Sequence, residues 1–249
     1  MSFIPKFEKG LILKQKMLEA LRDYPQDFIK TLFAGKGDGI ISGFDILIDR
    51  DDKNKFVVTP GIIKKDGEIF CVKEEKKLDF LESENYVYLK FSVTEEVDGF
   101  TYSAEIEQKS EEASSLFELF RYVRNGEMKE YADIEEILAP TLRNRIDRKY
   151  AKWSINGGST LNPQYYKAFA EFVLKSSNSS AKDYAFAFSC LNGIEDSSVI
   201  RSYFEAEDIS NAKILELIGK KIKSFTVSDQ KQNEKQTVKN KPEKKMLIC

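Results

Sequence analysis

Three carboxylates beside one apolar strand, Glu95, Glu96 and Asp98, are the first candidates for acid–base chemistry. A glycoside hydrolase needs two such acids across a cleft, one as general acid and the other as base or nucleophile. The three residues lie directly before Gly99, and acidic residues are common where Asp-Gly forms a tight turn. The pattern therefore favours a hairpin turn, with a carboxylate enzyme acting on cell-wall glycans as an alternative.

Histidine is absent from all 249 residues. Its imidazole is the usual general base, proton shuttle and metal ligand near neutral pH. The absence excludes Ser-His-Asp and Cys-His catalysis and every zinc site that uses histidine. The three cysteines, Cys71, Cys190 and Cys249, form no Cys-x-x-Cys pair, so they predict neither a zinc site nor a redox motif. We expect no metal, no cofactor and no enzymatic activity.

Two loops contain residues that could hold an ion, and each lacks a required part. Residues 35–39 read Gly-Lys-Gly-Asp-Gly, but a phosphate-binding P-loop needs Ser or Thr after its Gly-Lys and a strand before it. The acidic loop at residues 49–54 has no central Gly and no closing Glu, both of which a calcium-binding loop requires. We expect a helix stop with a flexible joint in the first loop and a solvated hairpin turn in the second.

A basic segment spans residues 143–153 and combines cations with aromatic rings. Stacking of nucleic-acid bases on the rings is one use of such a pattern, and contact with a protein partner is a second. A plain solvated helix face is the third, because Asp147 and the acids at residues 133–136 dilute the positive charge. The interface candidates in this segment are Arg143, Arg145, Arg148 and Trp153.

The overall composition is that of an ordinary folded protein. Hydrophobic residues make up 41% and charged residues 32%, and the formal net charge of -2 attracts neither nucleic acid nor an anionic membrane. No run of about 18 apolar residues predicts a membrane-spanning helix. The first residues lack the pattern of a signal peptide, so we expect synthesis and folding in the cytoplasm.

The N-terminal segment, residues 1–39, is predicted to be helical. Apolar residues at spacings of three and four place a helix over residues 8–35, with a restart at Pro25 and a stop at the glycines of residues 35–39. The stripe consists of Leu13, Met17, Leu21, Tyr24, Phe28 and Leu32.

Residues 40–130 are predicted to form a β-rich module. Asp66-Gly67 and Asp98-Gly99 each separate two apolar runs and predict hairpins. Short strands with turns every 8–12 residues or so indicate a small antiparallel sandwich or barrel. We expect the aromatic strand at residues 86–93 and its hairpin partner to form an interface, with Tyr86, Tyr88, Phe91 and Tyr102 as the candidates.

Helical spacing returns in residues 131–225, which predict a small bundle of short helices. Residues 226–249 carry six lysines and three acidic residues with few apolar ones, and this composition predicts a disordered basic tail. The fold class is therefore α+β: N-terminal helices, a small antiparallel β sandwich or barrel, a small helical bundle and a tail.

Four segments of the first half carry a family resemblance. They read Gly-Ile-Ile-Ser-Gly-Phe-Asp-Ile at residues 39–46, Val-Val-Thr-Pro-Gly-Ile-Ile at 57–63, Tyr-Val-Tyr-Leu at 86–89 and Arg-Tyr-Val-Arg-Asn-Gly-Glu at 121–127. In this order, and with the Asp66-Gly67 hairpin between the second and third, residues 36–130 resemble the N-terminal module of phage tail and baseplate proteins, including those that anchor fibres.

The resemblance implies a role in assembly, without catalytic residues. It implies a homo-oligomer, with a trimer as one arrangement, that contacts other tail or baseplate proteins and a tail fibre. Its setting would be a virion, a phage tail-like bacteriocin or another contractile injection system. A helical region follows the module where a fibre repeat would be expected, which favours a short adaptor or baseplate subunit. A nucleic-acid-binding accessory and a tail-assembly chaperone are the alternatives.

Overall fold

The computed structural model describes residues 12–96, 99–129 and 143–239, with the single residues 9 and 138, and for residues 96 and 227–239 the backbone alone. Asp98 and residues 240–249 of the predicted tail, Cys249 among them, lie outside the described residues. The helices are α1 Gln15–Leu32, α2 Pro163–Lys175, α3 Ala181–Asn192, α4 Ser197–Phe204 and α5 Asn211–Lys239. The strands are β1 Gly39–Gly43, β2 Ile46–Ile48, β3 Lys55–Val58, β4 Gly61–Lys65, β5 Glu68–Val72, β6 Lys76–Asp79, β7 Ser83–Glu96, β8 Gly99–Lys109, β9 Phe117–Arg124, β10 Ile146–Asp147, β11 Trp153–Ile155 and β12 Gly158–Thr160.

Helix α1 is continuous and contains Pro25 in its interior. The predicted restart at Pro25 is therefore wrong. Proline removes one backbone donor and crowds the carbonyl four residues earlier. Both Pro25 and Leu21 are exposed, so the carbonyl that loses its partner lies where water can reach it.

The strands form three sheets, and in the part of the chain that the structure describes none of them closes into a barrel. Their orders are β12-β11-β1-β4-β5, β10-β9-β7-β8 and β2-β3-β6. The strand pairs within them are antiparallel except β1 with β11, where Ile40 pairs with Trp153. The inward faces share one core of aromatic and branched residues, among them Phe44, Phe56, Val87 and Phe120. The α+β fold class is thus confirmed.

Both predicted hairpins are present. Strands β4 and β5 join at Asp66-Gly67, where Lys65 pairs with Glu68. Strands β7 and β8 pair from Tyr86 with Lys109 to Glu96 with Gly99. Strand β9 pairs with β7 only as far as Leu89, so residues 90–96 and 99–105 form a two-stranded extension, named here the hairpin arm.

The second half of the chain is built on a helical core in which α2, α3, α4 and α5 pack together. Asn162 caps α2 through its side chain, with Pro163 in the first turn. Residues 153–160, which the sequence predicted to be part of the helical domain, instead form the β11–β12 hairpin. The Gly157-Gly158 pair is a hairpin signal that the prediction interpreted as a break between helices.

Helix α5 continues to Lys239, where the sequence predicts a disordered tail from residue 226. Lysine, glutamine and glutamate are good helix formers even without an apolar stripe. No glycine or proline lies between Gly219 and Pro242. Composition alone therefore could not separate a disordered tail from an extension of α5.

Candidate interaction surfaces

The most exposed apolar surface lies on α1. Six of its large side chains point into solvent, with exposed fractions from 40% for Ile29 to 64% for Tyr24. Met17 is buried. We call the six residues the α1 apolar face: Leu18, Leu21, Tyr24, Phe28, Ile29 and Leu32.

The other side of α1 is tied to the β sheets through polar groups. Lys30 forms an ion pair with Glu68 of β5 at 3.1 Å. At the end of the helix, Lys64 Nζ donates hydrogen bonds to the carbonyl oxygens of Phe33 at 3.0 Å and Lys36 at 2.7 Å. A cation at this position satisfies carbonyls that have no helical partner and complements the helix dipole. The usual arrangement of a surface helix, apolar side inward, is thus inverted.

The hairpin arm carries the second exposed apolar surface. Phe100 is 62% exposed and Val93 53%, and both lie on one face because Val93 pairs with Tyr102 and Glu95 with Phe100. At the base of the arm, Phe70 of β5 packs against Phe91, with ring centroids 4.7 Å apart. The base is therefore anchored on the five-stranded sheet, while the end extends past it.

The predicted interface on the aromatic strand is only partly at the surface. Tyr102 is exposed and Phe91 half-buried. Tyr86 and Tyr88 are buried, with their rings stacked at 6.1 Å, and the Tyr88 hydroxyl accepts a hydrogen bond from the Ala113 backbone. Burial raises the pKa of Tyr86 to about 12. These two tyrosines therefore offer no surface to a partner, because β9 and the loop before it cover them.

The basic segment at residues 143–153 is not the helix that the sequence predicted, but a joint between the two cores. Arg148 is buried and its Nη2 donates to the Phe44 carbonyl at 3.0 Å. Its backbone nitrogen donates to the Tyr165 hydroxyl of α2 at 3.1 Å. Lys149 and Asp147 form a buried ion pair at 3.1 Å. The prediction that Arg148 faces a partner is therefore wrong, since its guanidinium is used inside the chain.

Three other residues of the segment lie closer to the surface. Arg143 is exposed, whereas Arg145 and Trp153 are half-buried. The guanidinium of Arg121 lies 3.7 Å from the ring centre of Tyr150, which is 48% exposed. The residues do not form the continuous cation–aromatic groove that single-stranded nucleic acid would need.

The glycines of the family-like segments serve close packing. A Cβ on Gly61 would lie 2.4 Å from the Phe44 ring, and one on Gly43 would lie 2.1 Å from the Pro60 carbonyl oxygen. Phe44 itself is buried and adopts a positive φ of 55°, and its carbonyl is the one that accepts from Arg148. These segments therefore hold the β core and join it to the helical core.

The two candidate ion loops have structural partners of their own. In the acidic loop, Asp49 and Asp52 accept hydrogen bonds from the backbone of Asp51 and Asn54, which fixes the turn. In the glycine loop, Gly37 donates to the Ile155 carbonyl, and a Cβ on Gly37 would lie 2.3 Å from the Gly158 backbone. The acidic loop is a tight turn, and the glycine loop packs against the β11–β12 hairpin.

Of the predicted carboxylate group, the structure describes one side chain, that of Glu95, which is exposed on the hairpin arm. Within the described ranges, no cluster of three or more His, Cys, Asp or Glu side chains is arranged to hold a metal. None of the helices described here is long and apolar enough to span a membrane.

A small cavity of about 160 Å³ lies between the β11–β12 hairpin and the α2–α3 pair. Trp153, Tyr166 and Cys190 line it. Burial raises the pKa of the Cys190 thiol to about 12, so it is protonated at neutral pH. The Tyr166 hydroxyl shares a 2.5 Å hydrogen bond with Thr160. The cavity has a mixed apolar and polar lining, with Lys36 and Glu195 at its wall, and its thiol is not activated.

Sequence reasoning missed a buried polar cluster around Asp183. The Asp183 carboxylate forms a capping box with Ser180 and accepts hydrogen bonds from Tyr203 at 2.7 Å and Lys221 at 2.9 Å. Burial alone would raise the pKa of Asp183, but the hydrogen bonds from Ser180, Tyr203 and Lys221 outweigh it and hold the pKa well below its usual range. The Ser180-x-x-Asp183 spacing was the sequence signal for the capping box. No sequence signal indicated that Tyr203 of α4 and Lys221 of α5 would bind the same carboxylate.

Comparison with known proteins gives distant similarities in structure alone. No family model matches the sequence, and no curated protein matches it. A chain in the cryo-electron microscopy structure of the type VI secretion system TssK-TssF-TssG baseplate subcomplex is 8% identical, with a TM-score of 0.41 over 90% of this chain and 100% of that chain. The crystal structure of TssK is 12% identical, with a TM-score of 0.31 over 92% of this chain and 56% of that chain. Similarity at this level assigns no function.

Proposed function

We propose that this chain is a non-enzymatic structural subunit of a contractile tail baseplate, in a phage, a phage tail-like bacteriocin or another contractile injection system. It would act by contact with neighbouring tail or baseplate proteins and would attach or adapt a tail fibre. The single observation that carries the proposal is the presence of two exposed apolar surfaces, the α1 apolar face and the hairpin arm, on different elements.

Exposed apolar side chains on this scale are unfavourable for a protein that works alone. Single exposed leucines are ordinary, whereas contiguous apolar patches mark surfaces that a partner covers. Each large side chain that passes from water into an interface contributes about 1.5–3 kcal/mol when fully buried. A subunit with two such surfaces can join two neighbours, which is what a baseplate component must do.

The family-like segments give the proposal its setting. They cover residues 36–130, and their glycines and Phe44 hold the β core in the arrangement from which the hairpin arm extends. We propose incorporation of the chain into a tail particle after synthesis in the bacterial cytoplasm.

Incorporation into particles tests this function. A strain that makes contractile particles would carry a tagged copy of the chain in place of its own, and particles would be purified by sedimentation and probed for the tag. The wild-type chain should sediment with the particles. Val93→Glu with Phe100→Glu on the hairpin arm should lower the bound amount at least tenfold. Thr94→Glu with Thr101→Glu is the matched control, because this facing pair adds the same two negative charges on the opposite face of the arm, and it should leave binding unchanged.

Two results would contradict the proposal. A wild-type chain that stays in the supernatant while normal particles sediment would exclude a structural role. A chain that binds free tail proteins but is absent from finished particles would identify a tail-assembly chaperone instead.

A further inference from the structure

The hairpin arm has an open strand edge as well as an exposed apolar face. Strand β9 begins at Phe117 and pairs with β7 only as far as Leu89. Among the described residues, no strand lies on that side of β7 from position 90 to position 96. An unpaired edge of this length can pair with another strand, and proteins usually blunt or cover such edges.

The pairing of β7 with β8 determines which backbone groups face the open edge. Glu96 and Gly99 are the last pair, with two positions between them, so these two residues exchange backbone hydrogen bonds with each other. Hydrogen bonding alternates along an antiparallel pair, which directs every second residue of β7 toward β8. The N–H and C=O groups of Phe91, Val93 and Glu95 therefore point to the side where β9 is missing.

We propose that this edge receives an extended strand of a partner protein, with basic residues opposite Glu95 and Glu96 and apolar residues opposite Phe91 and Val93. The added strand runs antiparallel to β7, in line with β9 and end to end with it. The inference rests on the proposed function. It deepens that function by giving the mode of contact at the hairpin arm and the chemical character of the partner.

The side chains beside the edge favour apolar residues in the inner half of the added strand. Phe91 is half-buried and contacts Phe117 of β9, with ring centroids 6.4 Å apart. Val93, the next residue on that face, is 53% exposed. An apolar residue opposite Phe91 lies close enough to pack against its ring and continues the row that Phe117 begins. The same strand on the outer edge of β8 would lose the contact with Phe117.

The charge of the arm favours a basic partner. Residues 90–105 contain one lysine and four acids, and the lysine, Lys90, is already paired with Glu107 at 3.2 Å. Glu95 and Glu105 are exposed. Complementary charge favours a strand with Lys or Arg near the end of the arm. The arm of a second copy would place acid against acid, which is unfavourable between neighbouring strands.

Amide hydrogen exchange, followed by nuclear magnetic resonance on the full-length chain, tests the inference at single residues. The probe is the synthetic peptide acetyl-Lys-Lys-Thr-Val-Thr-Val-amide, and the same peptide with Glu in place of both Lys is its control. Without peptide, the amides of Val93 and Glu95 should exchange about tenfold faster than those of Ser92 and Thr94, which bond to β8. The Lys peptide at saturation should remove this difference, and the Glu peptide should leave it.

A proline variant tests the backbone contact separately. Glu95→Pro removes the N–H that faces the open edge and leaves the hydrogen bonds to β8 in place, as edge strands tolerate. It should weaken binding of the Lys peptide about tenfold in a chemical-shift titration, whereas Glu95→Gln, which removes only the charge, should weaken it about threefold. Unchanged protection of the Ser92 and Thr94 amides in both variants would show that the arm is folded.

Three outcomes would overturn the inference. Slow exchange of Val93 and Glu95 without peptide would show that other residues of the chain already cover the edge. Equal binding of the two peptides, or binding of neither at millimolar concentration, would exclude a basic strand. Protection of Phe100 and Tyr102 instead would place the peptide on the outer edge of β8.

Failure of this inference and failure of the proposed function are distinguishable. The particle assay reads the side chains of the arm through Val93→Glu with Phe100→Glu. If particles lose that variant while the Lys peptide does not bind, the chain is still a particle subunit and the arm contacts its neighbour through side chains alone. If the wild-type chain is absent from particles, the proposed function fails whatever the peptide does.

Discussion

Helices α1 and α2 have similar sequence patterns and opposite surroundings. In α2, Tyr165, Phe169 and Val173 are buried among the other helices of the helical core. In α1, Leu21, Tyr24 and Phe28 recur at the same kind of spacing and remain exposed. The comparison shows that an apolar stripe predicts a helix with one face that is stable only when buried. Whether residues of the same chain or of another one bury that face depends on the rest of the structure.

The largest expected effect comes from the covered helix. Phe169→Ala removes a ring that contacts Phe186, Tyr203 and Phe204. Replacement of a core phenylalanine by alanine typically lowers the free energy of unfolding by about 3–5 kcal/mol, because a cavity remains. Urea unfolding followed by circular dichroism would measure it. A loss below about 1 kcal/mol would show that the helical core can collapse around the cavity.

The buried polar cluster should contribute the next largest effect. Asp183→Ala leaves the Tyr203 hydroxyl without its carboxylate acceptor and removes the Ser180 capping box, and we expect a loss of about 2–3 kcal/mol in the free energy of unfolding. Chemical denaturation at pH 7 would measure the loss. Lys213→Ala, which breaks only an exposed pair with Glu216, is the control and should stay within about 0.5 kcal/mol.

The same carboxylate predicts a pH dependence. The folded state holds the pKa of Asp183 below its ordinary value of 3.8, so its contribution to stability is present above that value and is lost as the pH falls through the folded pKa. The stability gap between wild type and Asp183→Asn should therefore be constant from pH 7 to about 5 and narrow in more acidic solution. A gap that widened with acid would contradict the assignment.

A paired comparison of arginines is expected to give an intermediate effect. Arg148→Ala removes the buried hydrogen bond to the Phe44 carbonyl and should lower the free energy of unfolding by about 1.5–3 kcal/mol. Arg143→Ala, at an exposed position in the same segment, should change it by less than about 0.5 kcal/mol. Thermal unfolding of both variants would show the difference. Equal effects of the two substitutions would show that Arg148 does not stabilise the contact between the two cores.

The smallest effect should come from the uncovered helix. Phe28→Ala in dilute protein should change the free energy of unfolding by less than about 0.5 kcal/mol, because the ring already lies in water. If it destabilised the dilute chain as strongly as Phe169→Ala does, the α1 apolar face would be covered within one chain, and the contrast between the two helices would disappear.

Local pattern predicted the elements that local physics determines. The stripe of α1, the Asp66-Gly67 hairpin and the β7–β8 hairpin follow from spacing and turn residues, and the structure has all three. Burial depended on distant partners instead. Tyr88 reads as a surface candidate until β9 and the loop before it cover it, and Arg148 reads as an exposed cation until Phe44, 104 positions away, accepts its hydrogen bond.

The candidate surfaces also divide into features that local sequence predicts and features that depend on distant residues. Tyr102, one of the interface candidates from the sequence, is exposed, and the interface itself stays a prediction. The α1 apolar face appeared in the sequence only as a helix stripe that any core could have covered. What the sequence could not supply was the inverted orientation, because it is set by Lys30 and Lys64 reaching across to groups far along the chain.

The parallel pairing of β1 with β11 also constrains how the chain can be made. Strand β1 can pair with β4 soon after both leave the ribosome, but its other edge stays open until Trp153 of β11 has been synthesised. Beside this pair, the Ser154 hydroxyl donates to the Gly37 carbonyl, which lies 117 positions away in the chain. Contacts so distant in sequence slow folding, and an open strand edge can pair with another chain in the interval. The nascent N-terminal half would therefore need a chaperone more than the finished chain does. The five-stranded sheet can be completed only after translation has passed the β11–β12 hairpin.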